Sequence, residues 1–304
     1  MPELPEVETV KNTLKELILN KRIESVDIYY ERIIQNVSTD YFKESLKGER
    51  FVDIDRYGKY LIIILEKHII VSHLRMEGKY FLKGKEEKAK HEHIIFNLEN
   101  GETLRYDDTR KFGVMYLFDT IDVSKVRKLD PLNKLGLEPF DKELDAAFLI
   151  NKTKKMKGPI KRILLDQSVI CGLGNIYVDE VLFMARLHPE EDIKKLTIDD
   201  FNNIIKASIE VLNKAIKLGG TTIRSFVSSN HASGLFQNEL LVHTKETCPK
   251  CLGKIEKIRV GGRGTYYCPN CQKFKSWQLI YKIIKLEIQQ WLWGLLEASL
   301  QARA

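Results

Sequence analysis

The stretch CPKCLGKIEKIRVGGRGTYYCPNC, residues 248–271, carries two C-x₂-C pairs with sixteen residues between them. Each pair can turn two thiolates toward one tetrahedral ion, and the spacing suits zinc. Cys248, Cys251, Cys268 and Cys271 are therefore expected to hold one Zn²⁺. Four protein ligands leave no open coordination position, so the metal is structural rather than catalytic. The residues between the pairs read as a hairpin with Gly261, Gly262, Arg263 and Gly264 at its tip. An arginine flanked by glycines can lie close to a phosphate and offer it a bidentate fork. The fifth cysteine, Cys171, lies far off in the sequence and reads as a buried or tolerated thiol. Close cysteine pairs point to metal in a reducing compartment rather than to a disulfide framework, so the expected location is the cytoplasm.

Charge extends the argument outward from this stretch. The 304 residues include 49 Lys or Arg and 42 Asp or Glu, a formal net charge of +7. The excess is local: residues 241–275 hold eight basic and two acidic side chains, and NKTKKMKGPIKR, residues 151–162, holds six basic and none acidic. Such patches are the footprint of a polyanion binder, although a solvated lysine face has the same composition. With 43% hydrophobic and 30% charged residues, the chain is not of a disordered class. Its amino terminus is acidic and amphipathic rather than basic and then apolar, so no signal peptide is expected.

Upstream, residues 131–240 read as a helical unit ahead of a zinc finger over 241–273. The linker KLDPLNKLGLEPFD, residues 128–141, is broken by Pro131, Gly136 and Pro139. Pro159 then starts a helix with Ile160, Ile163 and Leu164 on one side, and Cys171-Gly172-Leu173-Gly174 ends it. A second helix opens at Asn175, with Val178, Val181, Leu182 and Ala185 on one face. The Gly-x-Gly is no dinucleotide fingerprint, because Tyr177 stands where a third glycine belongs and a helix rather than a strand precedes it. Two readings remain: a phosphate seat built from the second helix's first N–H groups and the Asn175 side chain, or a purely structural corner.

Residues 1–130 follow a different period. RIESVDIYY (22–30), RFVDIDRYGKYLIIILE (50–66), HIIVSHL (68–74), KYFLK (79–83) and HEHIIFNLENGETLRYDD (91–108) read as strands, and Asn100-Gly101 is a tight-hairpin signal. Short strands joined by short turns predict an antiparallel sandwich. A helix precedes them: Pro5 and the early glutamates suit its first turn, and Val7, Val10, Leu14, Leu17 and Ile18 keep helical spacing. The fold class is thus α+β: an N-terminal helix with an antiparallel β-sandwich, then a helical domain containing a helix–turn–helix, then a zinc-ribbon hairpin. Nothing in this reading explains Pro2.

PELPEVETV, SHLRMEGKY, DDTRKFG, GLGNIYVDEVLF, GGTTIR and the C-x₂-C pairs together resemble the bacterial formamidopyrimidine-DNA glycosylases, in that family's order and over residues 1 to about 272. The opening Pro-Glu-Leu-Pro-Glu is more similar to this branch than to the sister endonuclease VIII branch. The resemblance implies that the helical domain is of helix-two-turn-helix type and that the protein is a bifunctional enzyme of base excision repair. Such an enzyme excises oxidised purines (8-oxoguanine, formamidopyrimidines) through a Schiff base and then nicks the strand by β,δ-elimination. It also implies that Met1 is removed and that the freed Pro2 amine attacks C1′. An α-amine titrates near ~8, so roughly a third is unprotonated at mildly alkaline pH, against about a thousandth of an unperturbed lysine. A secondary amine condenses to an iminium ion of fixed charge, an electron sink.

By the same resemblance Glu3 is the general acid, Glu6 a second nearby carboxylate, and Lys59 a member of the catalytic set that contacts the phosphate beside the lesion. Met76, Arg110 and Phe112 fill the gap left by the flipped nucleotide, whose extrusion unstacks its neighbours. Glu77 faces the lesion. His91, Arg110, Lys157, Asn175 and Arg263 contact DNA, with Arg263 also the proton donor for δ-elimination. The stretch from Ser228 to Gly234 is a lid over the extruded base. The implied partner is damaged double-stranded DNA, bound by a monomer with no membrane association.

Two features depart from the family pattern. Val242-His243-Thr244 stands where an aromatic residue followed by Gly-Arg is expected, and 33 residues follow Cys271. The part of this tail beyond the zinc finger, 274–304, holds all three tryptophans, Trp277, Trp291 and Trp293, and reads either as appended sequence or as a partner-binding helix. Lys282, Lys285 and Glu287 argue against a membrane span there. The competing function is a zinc-hairpin protein that recognises damage without cutting; such a binder has no use for a proline terminus.

Overall fold

Two four-stranded antiparallel sheets face each other across the amino-terminal half. The computed structural model describes residues 1–221 and 234–275. Its first element is helix α1 (Leu4–Ile18), followed by strand β1 (Ile23–Ile28), helix α2 (Thr39–Leu46) and strands β2 (Phe51–Tyr57), β3 (Tyr60–Leu65), β4 (Ile69–His73), β5 (Lys79–Lys83), β6 (Glu92–Leu98), β7 (Thr103–Asp107) and β8 (Val114–Phe118). One sheet runs β1-β6-β7-β5 and the other β2-β3-β4-β8. Their inner faces, with Val7, Val10, Leu14 and Ile18 of α1, close one core. The run YLIIIL in β3 does not alternate because its sheet is covered on both sides. Ile62, Ile69 and Val71 point outward into a second layer under Val126 and Leu132. Neither α2 nor β8 was apparent from the sequence. The first is a two-turn helix capped by Ser38, which accepts the Tyr41 N–H at 3.2 Å; the second is a five-residue edge strand paired to β4.

Residues after Phe118 form helices α3 (Val123–Val126), α4 (Ala146–Thr153), α5 (Ile160–Leu164), α6 (Asn175–Met184) and α7 (Ile198–Lys217). Their core contains Val178, Val181 and Leu182 of α6, Ile204, Val211 and Leu212 of α7, and Leu4 of α1. Helix α1 thus belongs to both cores, which puts its amino terminus at the junction. The expected linker is itself packed. Leu132 is buried, Tyr57 donates to the Gly136 carbonyl at 3.0 Å, and Glu138 pairs with Arg56 and accepts the Gly58 N–H at 2.5 Å.

Strands β9 (Glu256–Val260) and β10 (Arg263–Tyr267) make the hairpin expected between the cysteine pairs. It rests on Phe183 of α6 through Val242, Ile255, Cys248 and Cys268. The basic run at 151–162 is not one exposed patch, because Lys161 is fully buried against Asp179. Residues 228–233 of the expected lid, and the tail from 276 onward, lie outside the described residues. No helix among the described residues is long and apolar enough to cross a membrane.

Candidate active site

The site begins with how α1 starts. Glu3 caps it, donating its own N–H to Glu6 Oε2 at 2.9 Å, and the Leu4 N–H is held by the Gly172 carbonyl at 3.0 Å. Glu6 Oε1 accepts from the Tyr177 hydroxyl at 2.6 Å, the Thr221 N–H at 2.9 Å and the Thr221 hydroxyl at 3.0 Å. Those bonds make Glu6 a tie between α1, α6 and the end of α7. The first N–H groups of α6, which the sequence left as either a phosphate seat or a structural corner, are occupied by Glu3: Oε1 accepts from Ile176 at 3.0 Å and Oε2 from Tyr177 at 3.4 Å. A carboxylate takes that place because a helix amino terminus stabilises negative charge. The glycines of the loop serve this contact. A Cβ on Gly174 would lie 2.3 Å from Glu3 Cδ, and one on Gly172, whose φ is +98°, would lie 2.5 Å from Leu4 Cδ1.

Lys59 enters from the β2–β3 turn, whose Gly58 has φ +57° and is fixed by Glu138. Its Nζ donates to the Leu173 carbonyl at 2.8 Å. Met1, Glu3, Lys59, Met76, Asn175 and Arg263 line one cavity of about 250 Å³. A larger cavity of about 440 Å³, on the β1-β6-β7-β5 sheet between Glu24, Lys85 and Arg105, holds none of the predicted residues. Burial raises the Glu3 pKa, Glu6 adds to the rise, and Lys59 and the two α6 N–H groups oppose it. Burial lowers that of Lys59, against the pull of Glu3. The terminal amine, here that of Met1, is lowered by burial with help from Lys59 and Arg110, while Glu3 and Glu6 oppose it. The environment therefore shifts the acid toward its protonated form and the terminal amine toward its free form, the two directions that covalent catalysis by an amine needs.

Arg110 and Phe112 stand outside this cavity. The guanidinium lies over the Phe112 ring at 4.8 Å, and the ring is 51% exposed. Asp108 shapes their turn, accepting the N–H groups of Arg110 at 3.0 Å, Phe112 at 2.9 Å and Gly113 at 2.7 Å. Glu77 is half-buried beside Met76 but does not line the cavity. His91 is half-buried, its carbonyl accepting the Asp108 N–H at 3.0 Å, and Lys157 is exposed.

The four Sγ atoms of Cys248, Cys251, Cys268 and Cys271 lie within 4.8 Å of one another, with Cys248 and Cys271 3.8 Å apart. Tetrahedral zinc–sulfur bonds put thiolates ~3.8 Å apart, so the cluster fits zinc. The hairpin is aimed by contacts that sequence reading missed. Asp179 accepts from Lys161 at 2.6 Å and from the Tyr266 N–H at 3.1 Å, and meets His243 Nδ1 at 2.7 Å. Glu180 accepts the N–H groups of Leu241, Val242 and His243 at 2.7–3.0 Å. Asn175 Nδ2 and Lys161 Nζ both donate to the Gly264 carbonyl, at 3.0 and 3.3 Å, which places Arg263 at the cavity mouth. The one sequence cue was the acidic pair Asp179-Glu180 on an otherwise apolar helix.

Three family profiles match in chain order: the formamidopyrimidine-DNA glycosylase N-terminal domain over residues 1–115, its H2TH domain over 135–227, and the zinc finger found in FPG and IleRS over 245–273. The formamidopyrimidine-DNA glycosylase of Exiguobacterium sibiricum is 47% identical over 277 residues, covering 90% of this chain and 99% of that protein. That of Bacillus cereus is 45% identical over 278 residues with the same coverage. Among solved structures, the complex between a Lactococcus lactis FPG mutant and a Fapy-dG containing DNA superimposes with a TM-score of 0.82 at 40% identity, covering 90% of this chain and 100% of that one. MutM in complex with carbocyclic 8-oxo-G containing DNA gives 0.81 at 40% identity with the same coverage. The sandwich, the helical domain and the zinc hairpin define a bifunctional DNA glycosylase and AP lyase acting on oxidised purines. The chain belongs to the formamidopyrimidine-DNA glycosylase family.

Proposed function

We propose that the Pro2 amine, freed by loss of Met1, is the nucleophile and that Glu3 is its acid partner. The observation that carries this is the convergence of the chain terminus, Glu3 and Lys59 in one cavity that also reaches Met76 and Arg263. The amine lone pair attacks C1′ of the damaged nucleotide as the glycosidic bond breaks. Glu3 delivers its proton to the opening sugar ring or to the departing base. The resulting iminium acidifies the C2′ proton; its loss expels the 3′ phosphate, and a second elimination, with Arg263 as proton donor, expels the 5′ phosphate. Lys59 neutralises charge beside the lesion. Met76, Arg110 and Phe112 fill the vacated stack, while Asn175 and Arg263 grip phosphates, with His91 and Lys157 as outer contacts.

The substrate is double-stranded DNA carrying an oxidised purine, bound by a monomer. Four zinc thiolates favour a reducing compartment, which supports a cytoplasmic location. Damage recognition without cutting is the weaker reading, because a pure binder needs no raised-pKa acid beside its terminus.

Borohydride added during turnover should reduce the iminium and fix the processed protein covalently to the damaged strand. Pro2→Gly should bind the lesion duplex but trap poorly. Full trapping and normal excision by a chain with an acetylated terminus would show the nucleophile to be another residue.

A further inference from the structure

Tyr106 is among the largest fully buried side chains, yet its hydroxyl has no hydrogen bond of ordinary geometry. Its polar neighbour is the Asp108 carboxylate, which already accepts the Phe112 and Gly113 N–H groups, and a buried hydroxyl so poorly partnered lowers stability relative to a phenylalanine ring in the same place. The oxygen's surroundings account for it. A Cβ on Gly113 would lie 1.6 Å from Tyr106 Oη, and one on Gly78 would lie 2.3 Å from the same atom. Neither glycine has a positive φ; the phenol excludes a side chain at both, and at Gly78 the Leu74 carbonyl, 2.7 Å from the Cβ position, excludes it as well.

These glycines close two different turns. Gly78 lies two residues beyond Met76, and its N–H is held by the Leu74 carbonyl at 2.9 Å. In that turn Arg75, at φ +53°, donates its N–H to His73 Nδ1 at 2.9 Å. Gly113 follows Phe112, and its N–H is held by Asp108 at 2.7 Å. The phenol therefore stands between the Met76 turn and the Arg110–Phe112 turn and touches both. It cannot yield easily, since its ring packs on Tyr80 at 5.2 Å and 61°, and Tyr80 is fixed by its hydrogen bond to Ser72 at 2.8 Å. Burial, with Asp108 close by, raises the Tyr106 pKa and keeps the spacer neutral.

We propose that Tyr106 is a positioning residue for nucleotide flipping: its hydroxyl end sets the spacing of the two turns, so that Met76 and the Arg110–Phe112 pair enter the duplex as one unit. This rests on the reading of those three residues as gap fillers. Residues that act as a unit give mutational effects that do not multiply, whereas independent residues give effects that do.

The test measures excision of 8-oxoguanine from a duplex by Met76→Ala, Phe112→Ala and the double variant, each with Tyr106 and with Tyr106→Phe. With Tyr106 present, each single change should slow excision about tenfold, and the double change should also slow it about tenfold in total rather than a hundredfold. With Tyr106→Phe the two effects should multiply toward about a hundredfold. Multiplication in both backgrounds, or in neither, overturns the spacer role while leaving the gap fillers intact. Single variants as fast as the parent overturn the gap-filling reading and the spacer with it. Gly113→Ala gives an independent check, because its Cβ would fall on the phenol oxygen: it should slow duplex excision and be partly rescued by Tyr106→Phe. Equal losses in the two backgrounds, or no loss at all, would also overturn the proposal. Fluorescence of 2-aminopurine placed beside the lesion should report weaker insertion for Tyr106→Phe without a fall in its melting temperature.

Discussion

The Glu3 carboxylate caps the helix that begins at Asn175, with Oε1 accepting the Ile176 N–H at 3.0 Å. The helix terminus favours the ionised form, yet burial and Glu6 outweigh it and the pKa rises. A carboxyl whose folded pKa lies above its unfolded one contributes stability at pH below the unfolded value, and this is lost as pH rises through the folded value. At alkaline pH the parent therefore carries a buried charge that Glu3→Gln lacks. Glu3→Gln should melt higher at pH 8, by about 2–4 °C, with the gap closing toward pH 4. The same variant should lose about 10²–10⁴-fold in base excision, the usual contribution of a general acid, yet still nick a preformed abasic site where no base must leave. Equal losses on the two substrates would move Glu3 from base departure to strand cleavage.

Removing one zinc ligand should separate the two halves of the molecule. The hairpin rests on its own small core, Phe183 with Val242, Ile255, Cys248 and Cys268, whereas the sandwich core shares none of these residues. Cys268→Ala should release the one bound zinc, measured by atomic absorption, and abolish binding to a lesion duplex. The sandwich should remain folded. Full-strength binding by the metal-free variant would remove the hairpin from the DNA-gripping surface.

The contrast between what the sequence disclosed and what it hid has a physical cause. Glu3, Met76, Asn175 and Arg263 sit in short contiguous motifs that are specific when taken together, and with Lys59 they meet in one cavity. The groups that aim them belong to pairs far apart in the chain: Lys161 with Asp179, His243 with Asp179, Arg56 with Glu138. Such pairs leave no periodicity, and Lys161 even read as part of a solvated basic run. The α6 terminus was legible as an anion seat, but its occupant, Glu3, comes from 173 positions upstream. Tyr106 read only as an alternating strand residue, because its function lies in the two glycines it touches.

Where the tail is cut should matter, because Phe274 and Lys275, just past the last residue of family resemblance, pack on the helical domain. The Phe274 ring stacks on His188 at 3.8 Å, the Lys275 N–H donates to Glu191 at 2.7 Å, and the Lys275 ammonium pairs with Asp200. A chain ending at Lys275 should keep full excision and the parent's melting temperature. Ending it at Lys273 removes an aromatic pair and a hydrogen bond, each about 1 kcal/mol, and should lower the melting temperature by several degrees. A chain ending at Lys275 that folds and binds DNA but no longer excises bases would make the tail part of the catalytic apparatus.

Arg263 and Lys59 are both cations at one cavity, and salt should tell them apart. Arg263 is exposed at the hairpin tip, with the next carbonyl fixed by Asn175 at 3.0 Å. Each phosphate contact releases counterions and contributes about 0.9 to the slope of log K against log salt. Arg263→Ala should flatten that slope by about one unit and weaken damaged and undamaged duplexes alike. Lys59 is 4% exposed and its ammonium is held by the Leu173 carbonyl at 2.8 Å. Lys59→Ala should therefore leave the slope on undamaged DNA unchanged and slow only the reaction at the lesion. Titrations of both variants on both duplexes between 50 and 200 mM salt, a range over which several such contacts change affinity by orders of magnitude, will separate them. A flattened slope for Lys59→Ala on undamaged DNA would mean that the lysine leaves its carbonyl for an ordinary phosphate, and a loss for Arg263→Ala confined to damaged DNA would place that side chain in the lesion pocket.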